Sequence, residues 1–266
     1  SLQDVKELEP ALNSGFIADH LRSAYYLPDE TQIRPPWHLQ ALREACLRRG
    51  VTIIDDVRVQ SFNFDSDRIG TMNIEGRNLP QCSMHAAQFC IAAGAWSEDL
   101  LQKLNLNVPT RPWRGQILLH KTNPGLLRHI INIGSGLEYI IPRNDGHILI
   151  GSTIEDVGFD VSNTPLSLDR LSTIAGDLLP NLMSRKPKEF WAGLRPGSPD
   201  GLPTIGRVPA VDNAWLVTGH YRSGFHLSTG TAHLIADSMC GISTDLQMDF
   251  FSAERAGLAE STNLVS

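Results

Sequence analysis

"EYIIPRNDGHILIGST", residues 138–153, decides the fold. Two apolar runs of strand length flank Asn144-Asp145-Gly146, a composition that favours the tight turn of a β-hairpin. The middle of the chain therefore reads as antiparallel sheet. "GQILLH" (115–120) has the same strand character and extends that sheet.

Outward from the hairpin the period changes. "SLDRLSTIAGDLLP" (167–180) sets Leu168, Leu171, Ile174 and Leu178 on one face, with Ser167 as N-cap, and predicts a helix. Earlier, "IRPPWHLQALREACLRRG" opens on two prolines, repeats Leu39, Leu42 and Cys46, and closes on Gly50: an amphipathic helix with a left-handed cap. "VTIID" (51–55) then reads as a short buried strand. The alternation from Val57 to about Ile74 predicts a meander of antiparallel strands. "AAQFCIAAGAW" (86–96) and "AWLVTGH" (214–220) each read as a buried strand running into a glycine turn, and "STGTAHLIADSMC" (228–240) as a helix. Helices and strands alternate at the two ends around a mostly antiparallel middle, so the fold class is α/β (α+β), with two interleaved regions.

Bulk properties narrow the function. A net charge of −6 with scattered Lys and Arg argues against a partner bound through phosphates, so no nucleic acid is expected. No apolar run has the length of a membrane-spanning helix. Cys46, Cys82, Cys90 and Cys240 form no CxxC pair and have no His at zinc spacing, so no metal is expected. They read as reduced, buried thiols of a cytoplasmic protein.

The chemistry centres on "WAGLRPGSPDGLPTIG" (191–206), where Arg195 sits in an apolar stretch rich in turn formers. A guanidinium held there suits a carboxylate, which it binds through two parallel charge-assisted hydrogen bonds. A structural pairing with Asp200 or Glu189 that only braces the loop is the alternative. No His/Asp arrangement or paired carboxylates marks a general base.

Four segments in order, "AAGAW" (92–96), "RPWRGQ" (111–116), "WAGLRPGSPDGLPTIG" and "TGHYRSGFHLSTGTAHLIAD" (218–237), resemble the D-amino-acid oxidase superfamily of FAD-dependent oxidoreductases, most of all its glycine oxidase branch. The resemblance implies a partial FAD-binding domain (34–106 and 193–250) interleaved with an antiparallel-sheet substrate-binding domain (15–33 and 107–192). It makes Arg195 the clamp for a substrate α-carboxylate, sets Tyr139 beside the same carboxylate, and puts Arg222 near the pocket entrance. Around the cofactor it implies Val59 at the adenine, Gly94 in a second glycine turn, and Gly219, His220, Tyr221, Arg222, Ser223, Gly224, Phe225 and His226 in the loop that touches the flavin ring. His220 and Val59 read equally well as core residues, and Tyr139 as an ordinary strand tyrosine.

The implied reaction is oxidation of the CH–NH bond of a small amino acid or amine by hydride transfer to flavin N5. The resemblance implies noncovalent FAD, because "LRPGSPDG", the loop near which some members of the family attach flavin through a cysteine, holds no cysteine. The resemblance also allows a homo-oligomer. One feature of the family is missing from these residues: no GxGxxG occurs. The chain, which starts without Met, reads as the part that follows the pyrophosphate-binding unit, and by itself is expected to hold little FAD. A non-catalytic binding remnant of such an enzyme is the alternative of a different class, and a quinone-coupled dehydrogenase the alternative enzyme.

Overall fold

Gly146 takes φ +83° and closes the predicted turn. The runs on either side pair antiparallel, with Tyr139 opposite Gly151 and Ile141 opposite Leu149. These features are seen in a computed structural model of the chain that describes residues 1–255.

In chain order the described residues form α1 (Leu2–Leu8), α2 (Ser14–His20), α3 (Pro35–Arg48), β1 (Val57–Asp65), β2 (Arg68–Gly76), β3 (Leu79–Met84), β4 (Phe89–Ile91), α4 (Ser97–Gln102) and β5 (Arg111–Lys121). There follow β6 (Ile131–Ile133), β7 (Glu138–Pro142), β8 (His147–Gly151), α5 (Pro165–Leu178), β9 (Glu189–Gly197), β10 (Thr204–Arg207), β11 (Ala214–Thr218) and α6 (Gly224–Met239). Short 3₁₀ turns lead into α4 and α6. The described residues divide into two compact units, one of residues 1–32 and 113–194, the other of 33–112 and 195–255.

The first unit holds a five-stranded sheet in the order β6-β7-β8-β5-β9. Side chains alternate across a strand, so Leu118, Ile140, Ile148 and Ile150 share one face. They pack with Leu171 and Ala175 of α5 and with Leu12 and Ile17 from the N-terminal segment. "RPWRGQ" anchors a buried polar network in this unit. Arg114, 3% exposed, binds Glu155 at 2.6 Å and Asp160 at 2.5 Å, and Gln116 donates to Glu155, Thr164 and Ser167.

The second unit combines the antiparallel meander β1-β2-β3 with a small sheet in the order β10-β11-β4. Phe62, Ile69, Phe89, Ile91, Leu101 and Leu216 meet in its core. Buried Asn213 ties the meander to this sheet, its side chain accepting from the Ile69 N–H and donating to the Ile69 carbonyl.

Five sequence expectations are corrected. Residues 51–55 form no strand, and Val51 and Ile54 are exposed, because no neighbour pairs with them among the described residues. The apolar face of α3 is uncovered: no residue of the helix is buried, and Leu39 is 62% exposed. Thr164 rather than Ser167 caps α5, since Pro165 already supplies a helical φ at the first position. Helix α6 begins at Gly224, four residues before the predicted start, because the 3₁₀ turn at 221–223 feeds directly into it. Nor are the cysteines buried; Cys90 points outward from β4 between buried Phe89 and Ile91, and Cys240 lies exposed past α6.

Candidate active site

Strands β4 and β11 run parallel, with Ala214 opposite Phe89 and Leu216 opposite Ile91. Their carboxyl ends therefore lie on the same edge of the sheet. Each ends in a glycine with positive φ, Gly94 at +56° and Gly219 at +79°. Only glycine takes this conformation without strain. Thr218 Oγ1 donates to the Gly94 carbonyl at 3.0 Å and ties the two turns together. Ligands of open α/β sheets settle beyond the carboxyl ends of parallel strands, where backbone comes close and helices begin. A Cβ built on Gly94 would meet nothing within 4 Å, so the space over this turn is open.

The second turn feeds α6. Tyr221 adopts φ +48°, an uncommon conformation for a residue with a large side chain. Ser223 gives α6 no side-chain cap, and the positive end of the helix dipole stands at the turn. His220 is half-buried and its Nε2 lies 3.0 Å from Thr231 Oγ1. Burial pushes its pKa down, which favours the neutral ring. Arg222, Ser223, Phe225 and His226 are exposed, and the Phe225 ring stands 5.2 Å from that of His38 on α3.

Arg195 reaches the same turn along its own strand. It is half-buried, and two residues later Gly197 forms an antiparallel bridge with His220. Ser198 packs against Gly219: a Cβ there would lie 3.3 Å from the Ser198 Cβ. Two acidic residues close to Arg195 in sequence also meet cations. Asp200 binds Arg255 in a fork, at 2.6 Å and 3.0 Å, and Glu189 lies 4.0 Å from Lys188. Burial raises the Asp200 pKa, but the Arg255 bond and the Leu202 N–H outweigh it and hold the carboxyl below its ordinary range.

The second unit thus brings Arg195, Gly94 and the 219–226 turn to one region. Val59 lies in the meander, paired with Ile74 and packed against the main core. Tyr139 belongs to the first unit, on β7, with its ring laid over Gly151; a Cβ on that glycine would stand 2.7 Å from the tyrosine Cζ and Oη. Gly151 and Thr218 are the supporting residues that sequence reading misses, and neither carries a local motif. A larger cavity of about 450 Å³ opens near Arg207 and Trp215, at the amino end of β11, away from both glycine turns.

Comparison with known proteins agrees with this architecture. Residues 1–238 match the family model DAO, described as FAD dependent oxidoreductase. The chain is 38% identical over 234 residues to glycine oxidase of Pseudomonas aeruginosa, covering 87% of this chain and 61% of that protein. It is 32% identical to hydrogen cyanide synthase subunit HcnC of the same organism, covering 88% of this chain and 54% of that protein. Among solved structures, glycine oxidase from Geobacillus kaustophilus superposes with a TM-score of 0.84 at 25% identity, over 96% of this chain and 66% of that one. The chain therefore spans about three fifths of the length of the curated relatives it matches. On this match over most of its length, the chain belongs to the DAO family of FAD-dependent oxidoreductases.

Proposed function

We propose that the protein carrying this chain oxidises the CH–NH bond of a small amino acid or amine, as its glycine oxidase relatives' name describes for glycine. The observation that supports this reading most is Arg195 on the strand that bridges, through Gly197, to His220 in the Gly219–Gly224 turn. FAD, when bound, supplies the two-electron acceptor. The residues fit such a group: Gly94 and Gly219 give close backbone approach, and α6 directs partial positive charge at the turn. Arg195 binds the substrate carboxylate through a planar two-point fork and so fixes the α-carbon. Tyr139 is proposed as a second carboxylate ligand and Arg222 as an entrance cation. Val59 is proposed to meet the adenine through its backbone, and His220, Tyr221, Ser223, Phe225 and His226 to line the flavin side of the turn. A substrate that arrives with a neutral amine needs no protein base, in keeping with a His220 ring held neutral by burial. The proposed domains are the partial FAD-binding part (34–106, 193–250) and the substrate part (15–33, 107–192).

The test is anaerobic mixing of the flavin-loaded protein with glycine, sarcosine and small D-amino acids. Bleaching of the flavin band by one of them is the expected result. Arg195→Ala should then lower kcat/KM roughly a hundredfold or more, chiefly through KM. A protein that takes up no FAD in any form carrying these residues would favour the second reading, a non-catalytic binding remnant.

A further inference from the structure

His120, one residue from the end of β5, is 2% exposed, and neither ring nitrogen has a hydrogen-bond partner. A neutral imidazole still carries one N–H donor and one acceptor, and buried polar groups of native proteins are almost always answered by a partner or a guest. The ring does not end in packed hydrocarbon. It lines a cavity of about 230 Å³ together with Ser172 on α5 and Ser184, Arg185 and Lys186 in the loop that follows it. That space exceeds several waters' share of liquid volume, about 30 Å³ each.

The lining decides what fits. Beside apolar Ala175, Leu182, Met183 and Pro187 it offers two cations, two hydroxyls and an imidazole, and no carboxylate. A metal ion or amine would face Arg185 and Lys186 with nothing to offset them. An apolar guest would leave His120 unanswered. An oxyanion answers the imidazole N–H, the hydroxyls and the two cations at once. Burial, and then the positive charge of Arg185, push the His120 pKa down, so the ring presents its N–H without adding a third buried charge.

The position is independent of the proposed active site. His120 shares its sheet face with Leu118, because one residue lies between them, and stands opposite Ile148. Tyr139 is level with Gly151 and Ile117 and points to the other face.

We infer that the His120 cavity of the first unit is a binding site for a small phosphate-type oxyanion, held by the His120 N–H, the Ser172 and Ser184 hydroxyls and the cations of Arg185 and Lys186. The anion is either free phosphate or the phosphate group of a small ester. The experiment follows the His120 ring by nitrogen-detected NMR of the full chain in a chloride-only zwitterionic buffer. Inorganic phosphate is titrated in one arm and methyl phosphate in the other. Saturable shifts of the His120 ring are the expected result, and the arm with the lower half-saturation point identifies the source. Arg185→Ala with Lys186→Ala changes only exposed side chains and should weaken binding at least tenfold while leaving the fold intact. His120→Gln, which keeps a donor and an acceptor, should retain weakened binding. A His120 ring that stays unmoved at tens of millimolar of both probes overturns the inference and leaves a water-filled cavity. A shift that persists unchanged in the double variant overturns it equally.

Discussion

At the scale of single residues, two arginines have different duties. Arg255 is matched by Asp200, and the pair is nearly dry, with side chains 6% and 16% exposed. Asp200→Asn leaves the Arg255 cation buried without its counter-charge, and should cost about 3 kcal/mol of unfolding free energy, read by denaturant titration. Arg195→Lys tests the other duty. It keeps the charge but loses the planar fork, so kcat/KM should fall roughly ten- to a hundredfold with stability unchanged. A bracing role would show the reverse. Titration adds a further expectation. Burial lowers the pKa of both His120 and His220. The unfolded chain therefore binds more protons as pH falls below the ordinary histidine value, about 6.5. Their contribution to stability is complete above that pH and shrinks below it. Glu155 and Asp200 are held low by hydrogen bonds that outweigh burial, so theirs persists to more acid pH and fades below the ordinary carboxylate range. Thermal melts should show a first decline between about pH 6.5 and 5, reduced in His220→Gln, and a second below about pH 4.

At the scale of elements, the sequence is legible wherever a local signal and its tertiary partner agree. Asn144-Asp145-Gly146 forces a turn, and β7 and β8 are adjacent strands that need nothing else to pair. The meander and the two strand–glycine turns are legible for the same reason. Thr164 is not, because Ser167 mimics a cap and only the network around Gln116 shows that it serves another purpose. Gly151 is invisible to any motif. Its role exists only across the hairpin, where the Tyr139 ring occupies the space of a side chain. Gly151→Ala should displace that ring and cost about 1–3 kcal/mol, measured by thermal unfolding. If Tyr139 meets the substrate, its KM should also rise as it does in Tyr139→Phe.

At the scale of the molecule, the clearest mismatch between sequence and fold is informative. "VTIID" has the composition of a buried strand and lies open, and α3 shows Trp37, Leu39, Leu42 and Leu47 to solvent. Exposed apolar groups in such a cluster mark a surface made to be covered. The apolar pattern predicts burial, and among the described residues no neighbour covers it. Leu39→Glu with Leu42→Glu should change the stability of this chain by no more than about 0.5 kcal/mol. In the flavin-loaded protein the same pair should weaken retention of FAD. Equilibrium dialysis against FAD distinguishes the two outcomes.

The pairing of β4 with β11 also sets a schedule for synthesis. Phe89 leaves the ribosome long before Ala214, its partner, and the whole stretch 113–194 of the other unit emerges in between. Contacts between such distant stretches form late, because a long loop must close first. A nascent chain halted after β9 would hold Phe89 and Ile91 bare, with neither glycine turn tied to the other, and would be the form most in need of a chaperone.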